Sequence, residues 1–165
     1  MFVKWILCSV IALTSLSPNV LAHNGSTIGE ESPNLMGRTL DDRIYRLSGD
    51  TGKPKVISFF WTQCAHCKLE LPALAKMEKK YPKVKFIAVH TKEESPEMVK
   101  TFLHSLSDSP NMVILTTGSM QEKFLYKGLP HTILLDENNV VLANFSGYTP
   151  QNMKQLESLI GNLSR

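Results

Sequence analysis

The pattern of apolar and polar positions divides the chain into short strands alternating with amphipathic helices. Residues 36–47 alternate loosely, and Ile44-Tyr45-Arg46-Leu47 suits a short edge strand or hairpin arm. Residues 49–54, Gly-Asp-Thr-Gly-Lys-Pro, carry turn chemistry. Val56-Ile57-Ser58-Phe59-Phe60-Trp61 is a nearly continuous apolar run rich in β-branched and aromatic residues, which predicts a central strand buried on both faces. A helix is predicted from about Ala65 to Lys80. Leu69, Leu71, Leu74, Ala75 and Met77 form its apolar face, its lysines the polar side, and Pro72 an interior kink. Val84–Val89 reads as a second strand, and Ser95-Pro96-Glu97 opens a helix with an N-cap followed by proline. Val113–Leu115 is a third strand, and Ser119-Met120-Gln121-Glu122 matches a capping box. Thr132–Leu135 and Val140–Ala143 are strands joined by the turn Asp136-Glu137-Asn138-Asn139, and Thr149-Pro150 starts a last amphipathic helix. Strands and helices in this order predict an α/β domain: a central mixed sheet with helices on both faces, ending in a β-hairpin and a C-terminal helix. No internal repeat or second domain is visible.

The first 34 residues do not share this pattern. Lys4 precedes an apolar stretch from Trp5 to Leu16, and Val20-Leu21-Ala22 follows with modest side chains at cleavage offsets. This predicts a signal peptide over residues 1–22, since the apolar run is well short of the ~20 residues of a membrane span. Residues 23–34 are polar and read as a flexible lead-in, so the folded domain is expected over 35–165. Cleavage after Ala22 removes one cation, Lys4, and no acid, taking the formal net charge from +3 to +2. That balance is too near neutral to argue for a nucleic-acid partner or a membrane surface, and no nucleic-acid partner is expected. It also removes Cys8 and leaves only Cys64 and Cys67. One pair closing so short a loop constrains the unfolded chain little, so a staple is a poor explanation for it.

Reactive chemistry is the better one. Cys64 falls directly after the buried strand, where a helix begins. Backbone N–H groups and the helix dipole favour negative charge there, and the thiolate is the reactive form of cysteine. Cys67 lies three residues on, on the same helical face. Cys64 is therefore expected to attack and Cys67 to resolve the mixed disulfide. His66 sits between them, and an imidazolium there would further stabilise the Cys64 thiolate. That favours the reduced form and makes the disulfide a stronger oxidant.

These residues resemble the thioredoxin-fold family, and within it the extracytoplasmic TlpA/ResA-like branch, over about residues 37–147. Gly52-Lys53-Pro54-Lys55-Val56 is similar to that branch's entry into its first central strand, and Phe59-Phe60-Trp61-Thr62-Gln63-Cys64 to its Phe-Trp-Ala-x-Trp-Cys stretch. Cys67-Lys68-Leu69-Glu70-Leu71-Pro72 resembles its Cys-x-x-Glu-x-Pro, and Gly128-Leu129-Pro130-His131-Thr132 its cis-proline loop. The resemblance implies a thioredoxin fold, a periplasmic location and thiol–disulfide exchange with protein substrates, without a cofactor. It also implies a partner, expected in the membrane, that resets the pair. A cis Pro130 is implied beside the cysteines, with Leu129 offering its backbone to an extended substrate. Gln63 departs from the family's tryptophan. Ser58 stands where thioredoxin has a buried acid, which leaves Glu70 as the candidate for proton transfer. The Ala65-His66 dipeptide is similar to the Pro-His of the oxidant DsbA, whereas the framework resembles reductants, so both directions of electron flow stay open. The alternative function is Cu(I) handling by Cys64, Cys67, His66 and His131, with His23 as a further ligand after cleavage. A structural zinc site is disfavoured, because only the first cysteine pair has ligand spacing.

Overall fold

A computed structural model describes residues 26–116 and 118–164. The expected signal peptide lies outside the described residues. Among those described, no helix is long and apolar enough to cross a membrane.

The fold is built on a seven-stranded sheet of order β2-β1-β5-β4-β3-β6-β7. The strands are β1 (Met36–Thr39), β2 (Ile44–Arg46), β3 (Lys55–Phe60), β4 (Lys85–His90), β5 (Met112–Leu115), β6 (His131–Leu135) and β7 (Val141–Ser146). The helices are α1 (Cys67–Lys80), α2 (Pro96–His104), α3 (Met120–Phe124) and α4 (Pro150–Leu163). The apolar run 56–61 becomes β3, which is buried along its whole length between parallel β4 and antiparallel β6. A strand with neighbours on both edges and helices or loops over both faces has no position left for a polar side, hence the unbroken apolar pattern.

Side chains alternate between the two faces of the sheet. Val56 and Phe60 face α1, α2 and α4, meeting Leu74, Leu156 and Ile160 toward one end and Cys67, Leu71, Val99 and Phe102 toward the other. Ile57 and Phe59 face the opposite way, onto Phe124 and Tyr126 with Leu35 and Leu47. The caps form as the sequence predicts. Ser95 accepts a hydrogen bond from the Met98 N–H, Ser119 from that of Glu122, and Thr149 from that of Asn152. In the β6–β7 turn the Asp136 carboxylate accepts from the backbone N–H groups of Asn138 and Val140, both at 2.8 Å.

Three local differences from the sequence expectation matter. Helix α1 starts at Cys67 rather than Ala65, because Cys64 first closes a turn onto the Trp61 carbonyl (3.0 Å). Leu69 is exposed, and Glu70 takes a place on the buried face with Cys67, Leu71 and Leu74. At 100° per residue, 67, 70, 71 and 74 share one side of a helix and 69 does not. Residues 29–32, read from composition as part of a flexible lead-in, are tied to residues 139–141 at the start of β7. The Gly29 N–H donates to the Val141 carbonyl, the Val141 N–H to that of Glu30, and the Ser32 N–H to that of Asn139. Backbone pairing is indifferent to the polar side chains that suggested flexibility.

Candidate active site

The site forms where β3 ends and α1 begins. The loop Trp61–His66 leaves the C-terminal end of a parallel strand, the place where open α/β sheets present their reactive groups. Cys64 and Cys67 form a disulfide with Cα atoms 5.3 Å apart. The two sulfurs differ in environment. Cys64 is half-buried and lines an open groove of about 740 Å³, whereas Cys67 is fully buried against Phe60 and Leu71. The Cys67 N–H, the first of α1, donates to Cys64 Sγ at 3.2 Å. A helix-terminal donor is thus already aimed at the sulfur that would carry charge after reduction.

The groove beside Cys64 is walled by Trp61, His66, Met120, Tyr126 and Leu129. His66 is exposed and occupies the N-cap position of α1 without a capping bond from its side chain. Leu129 comes to Cys64 from far along the chain because β6, which follows it, pairs with β3. The Leu129–Pro130 peptide bond is cis, and the Pro130 carbonyl accepts from the Gly147 N–H at 2.8 Å. Leu129 thus lines the groove beside Cys64, with the cis bond joining it to Pro130.

Glu70 lies one turn after Cys67 on the same buried face of α1. Ser58 Oγ donates to Glu70 Oε2 at 2.5 Å and Thr132 Oγ1 to Oε1 at 3.1 Å. Burial dominates its titration and pushes the carboxyl up to about 7, against the opposing pull of the two hydroxyl donors. Ser58, identified only as a position lacking an acid, is thus one of the two hydroxyls that hold the acid supplied by α1.

A second polar cluster escaped the sequence reading. Glu94, just beyond β4, accepts from Trp61 Nε1–H (3.0 Å) and Thr62 Oγ1 (2.8 Å), and its Oε2 lies 2.8 Å from His90 Nε2. Burial opposes the charge on Glu94, but the donors from Thr62, His90 and Trp61 outweigh it and hold the carboxyl below its usual range. Burial pulls His90 down despite the neighbouring carboxylate. Facing a carboxylate oxygen, which can only accept, the Nε2 of His90 is the donor of this contact. No local signal marks this cluster, since Trp61 and Glu94 are 33 positions apart.

His131 does not join the cysteines. It pairs with Phe59 in register and stacks on Tyr126 with ring centroids 5.3 Å apart, on the sheet face opposite Glu70. Burial pushes it down to about 4. The Cu(I) set Cys64, Cys67, His66 and His131 is consequently not assembled. Among the described residues, no group of three or more His, Cys, Asp or Glu is arranged to hold a metal ion.

A sheet of this order with a Cys-x-x-Cys disulfide at the head of α1 is the arrangement of the thioredoxin fold, and comparison with known proteins agrees. The profile of the AhpC/TSA family matches residues 28–160. The chain belongs to the AhpC/TSA family. Its similarity to the ResA-like branch of thioredoxin-like proteins also holds. The thiol-disulfide oxidoreductase ResA of Bacillus thuringiensis subsp. konkukian is 25% identical over 161 residues, covering 96% of this chain and 91% of ResA. The thioredoxin-like protein YneN of Bacillus subtilis is 27% identical over 116 residues, 68% of each chain. Among solved structures, a putative thiol:disulfide interchange protein DsbE from Chlorobium tepidum has a TM-score of 0.76 at 22% identity, covering 84% of this chain and 99% of that one. A secreted Mycobacterium tuberculosis disulfide oxidoreductase has a TM-score of 0.64 at 17% identity, covering 78% of this chain and 96% of its own. These structural likenesses establish the fold of this AhpC/TSA member. The cysteine geometry is its own.

Proposed function

We propose that the protein is a thiol–disulfide oxidoreductase that exchanges disulfides with protein substrates through Cys64 and Cys67. The observation that carries this reading is the asymmetry of the pair, with one sulfur open to a groove and the other buried behind it. In the reducing direction the Cys64 thiolate attacks a substrate disulfide. A Cys64–substrate S–S bond forms, and one substrate thiolate leaves. Cys67 then gives up its proton, for which Glu70 one turn away is the acceptor, and attacks Cys64. The Cys64–Cys67 bond re-forms and the second substrate thiolate is released. The substrate gains two electrons and the pair loses them. The oxidising direction reverses every step, and turnover then needs a partner of opposite poise to reset the pair.

The backbone of Leu129, ahead of the cis Pro130, serves as the strand edge on which an extended substrate pairs. Export to an extracytoplasmic compartment such as the periplasm is part of the same reading. It is supported by the apolar stretch after Lys4 and by the secreted Mycobacterium tuberculosis protein of the same fold.

The test is trapping. Cys67→Ser should accumulate mixed disulfides between Cys64 and substrate proteins, visible as adducts on non-reducing gels, and Cys64→Ser should not. Trapping through Cys67 alone would reverse the roles, and trapping by neither variant would remove the reading.

A further inference from the structure

The cluster around Glu94 has no part in the exchange chemistry, yet it reaches the loop that carries Cys64. Its carboxylate side chain is only 9% exposed and its partner imidazole 1%. A carboxylate buried to that extent is strongly penalised unless its lone pairs are filled, and here Trp61, Thr62 and His90 fill them. The loop that carries Glu94 is itself fastened to the end of β3, because the Thr91 N–H and Oγ1 both reach the Phe60 carbonyl at 3.2 Å. The Trp61 ring is held from a second side as well, with Lys92 Nζ 5.7 Å from its centroid. Trp61 and Lys92 both line the groove beside Cys64.

We propose that Glu94, anchored by His90, is a positioning residue that fixes the Trp61 ring as an apolar wall of the substrate groove. The occupant it serves is a polypeptide whose residue next to the reacting cysteine is apolar. This rests on the exchange function proposed above. Met120, Tyr126 and Leu129, the large apolar side chains among the other residues that line the groove, fit the same occupant. A large ring already locked before binding spares the complex the ordering of that side chain, so the clamp is felt in affinity for the substrate. Thr62 and Trp61 lie ahead of Cys64 in the same loop, but the sulfur chemistry itself is set by the α1 N-terminus and Glu70.

The experiment measures steady-state reduction or oxidation of a disulfide peptide with leucine beside its cysteine, and of the same peptide with serine there. Glu94→Ala should raise KM for the leucine peptide about tenfold, the scale of losing a buried hydrogen bond to a charged group, with kcat retained. Trp61→Phe, which keeps an aromatic ring but loses the N–H, should raise it comparably, and adding Glu94→Ala to Trp61→Phe should raise it no further. Glu94→Gln should restore most of the affinity, because its amide oxygen still accepts from Trp61 and Thr62 and its N–H2 can meet the other His90 tautomer. The serine peptide should discriminate little among the variants.

Additive effects of Trp61 and Glu94, or a fall in kcat and thermal midpoint with KM unchanged, would overturn the proposal and leave Glu94 a structural residue. Should Glu94→Ala fail to fold, Trp61→Phe with and without Glu94→Gln still decides it. In that pair, an unchanged leucine-peptide KM in Trp61→Phe refutes the clamp, because phenylalanine keeps the ring and loses only the N–H. A wild type inactive on both peptides refutes the exchange function itself, whereas an active wild type with unresponsive variants refutes only the clamp.

Discussion

At the residue scale, Glu70 carries the clearest pH signature. Its carboxyl titrates near 7 in the folded protein against a reference of 4.5, because burial disfavours the anion. The folded state therefore holds this proton more tightly than the unfolded state. The corresponding stability is fully present below about pH 4.5 and is lost as the pH rises through about 7. Glu70→Gln removes the dependence. Over that window the wild type should lose about 2–3 kcal/mol relative to the variant, measurable by chemical denaturation at a series of pH values. The same substitution should abolish the limb of the exchange rate that rises through about pH 7 and slow exchange about a hundredfold, the low end of the usual range for loss of a positioned proton acceptor.

His66 acts on a different quantity. It is exposed at the N-cap of α1, one residue before Cys67. Replacing it by proline should weaken stabilisation of the Cys64 thiolate and make the pair more reducing. The expected shift is about 30 mV for each ~1.4 kcal/mol of stabilisation lost, read by equilibration against glutathione. An unchanged potential would make His66 a bystander and favour the reductant direction suggested by the framework.

At the element scale, what was legible followed from local interactions. The apolar run of β3, the caps of α2, α3 and α4 and the β6–β7 turn all depend on residues within a few positions of one another. The hairpin of β1 and β2 was readable only as a loose alternation, because its place in the sheet comes from pairing with β5, more than seventy positions later. Gly37 shows how close that approach is. A Cβ there would lie 2.4 Å from the Leu115 carbonyl oxygen and 2.6 Å from Ile114 Cγ2. Gly37→Ala should therefore loosen the hairpin from β5 and cost about 1–3 kcal/mol, seen as a lower thermal midpoint with the exchange rate of the folded protein preserved. The start of α1 was misplaced for a related reason. Cys64 to His66 have no helix-breaking residue, and only the turn back to Trp61 and the disulfide hold them outside the helix.

At the scale of the whole molecule, the sheet order decides which distant residues share the site. Because β6 lies beside β3, Leu129 arrives next to Cys64, and Thr132 reaches Glu70 across 62 positions. Face parity follows from the same register. Ser58 pairs with Thr132 toward α1, while Phe59 pairs with His131 on the other side, so His131 is turned away from the cysteines with which the Cu(I) alternative grouped it. The sequence by itself determined the order of strands and helices, their caps and the cysteine pair at a helix start. Those features are written in spacings of two to four residues, where backbone geometry alone relates the side chains. Only the tertiary structure decided that Glu70 is held by Ser58 and Thr132, that His131 stands apart, and that His90 and Glu94 grip Trp61. Each of these depends on strand neighbours and on which face of the pleat a side chain takes, and a one-residue change of register would reverse it.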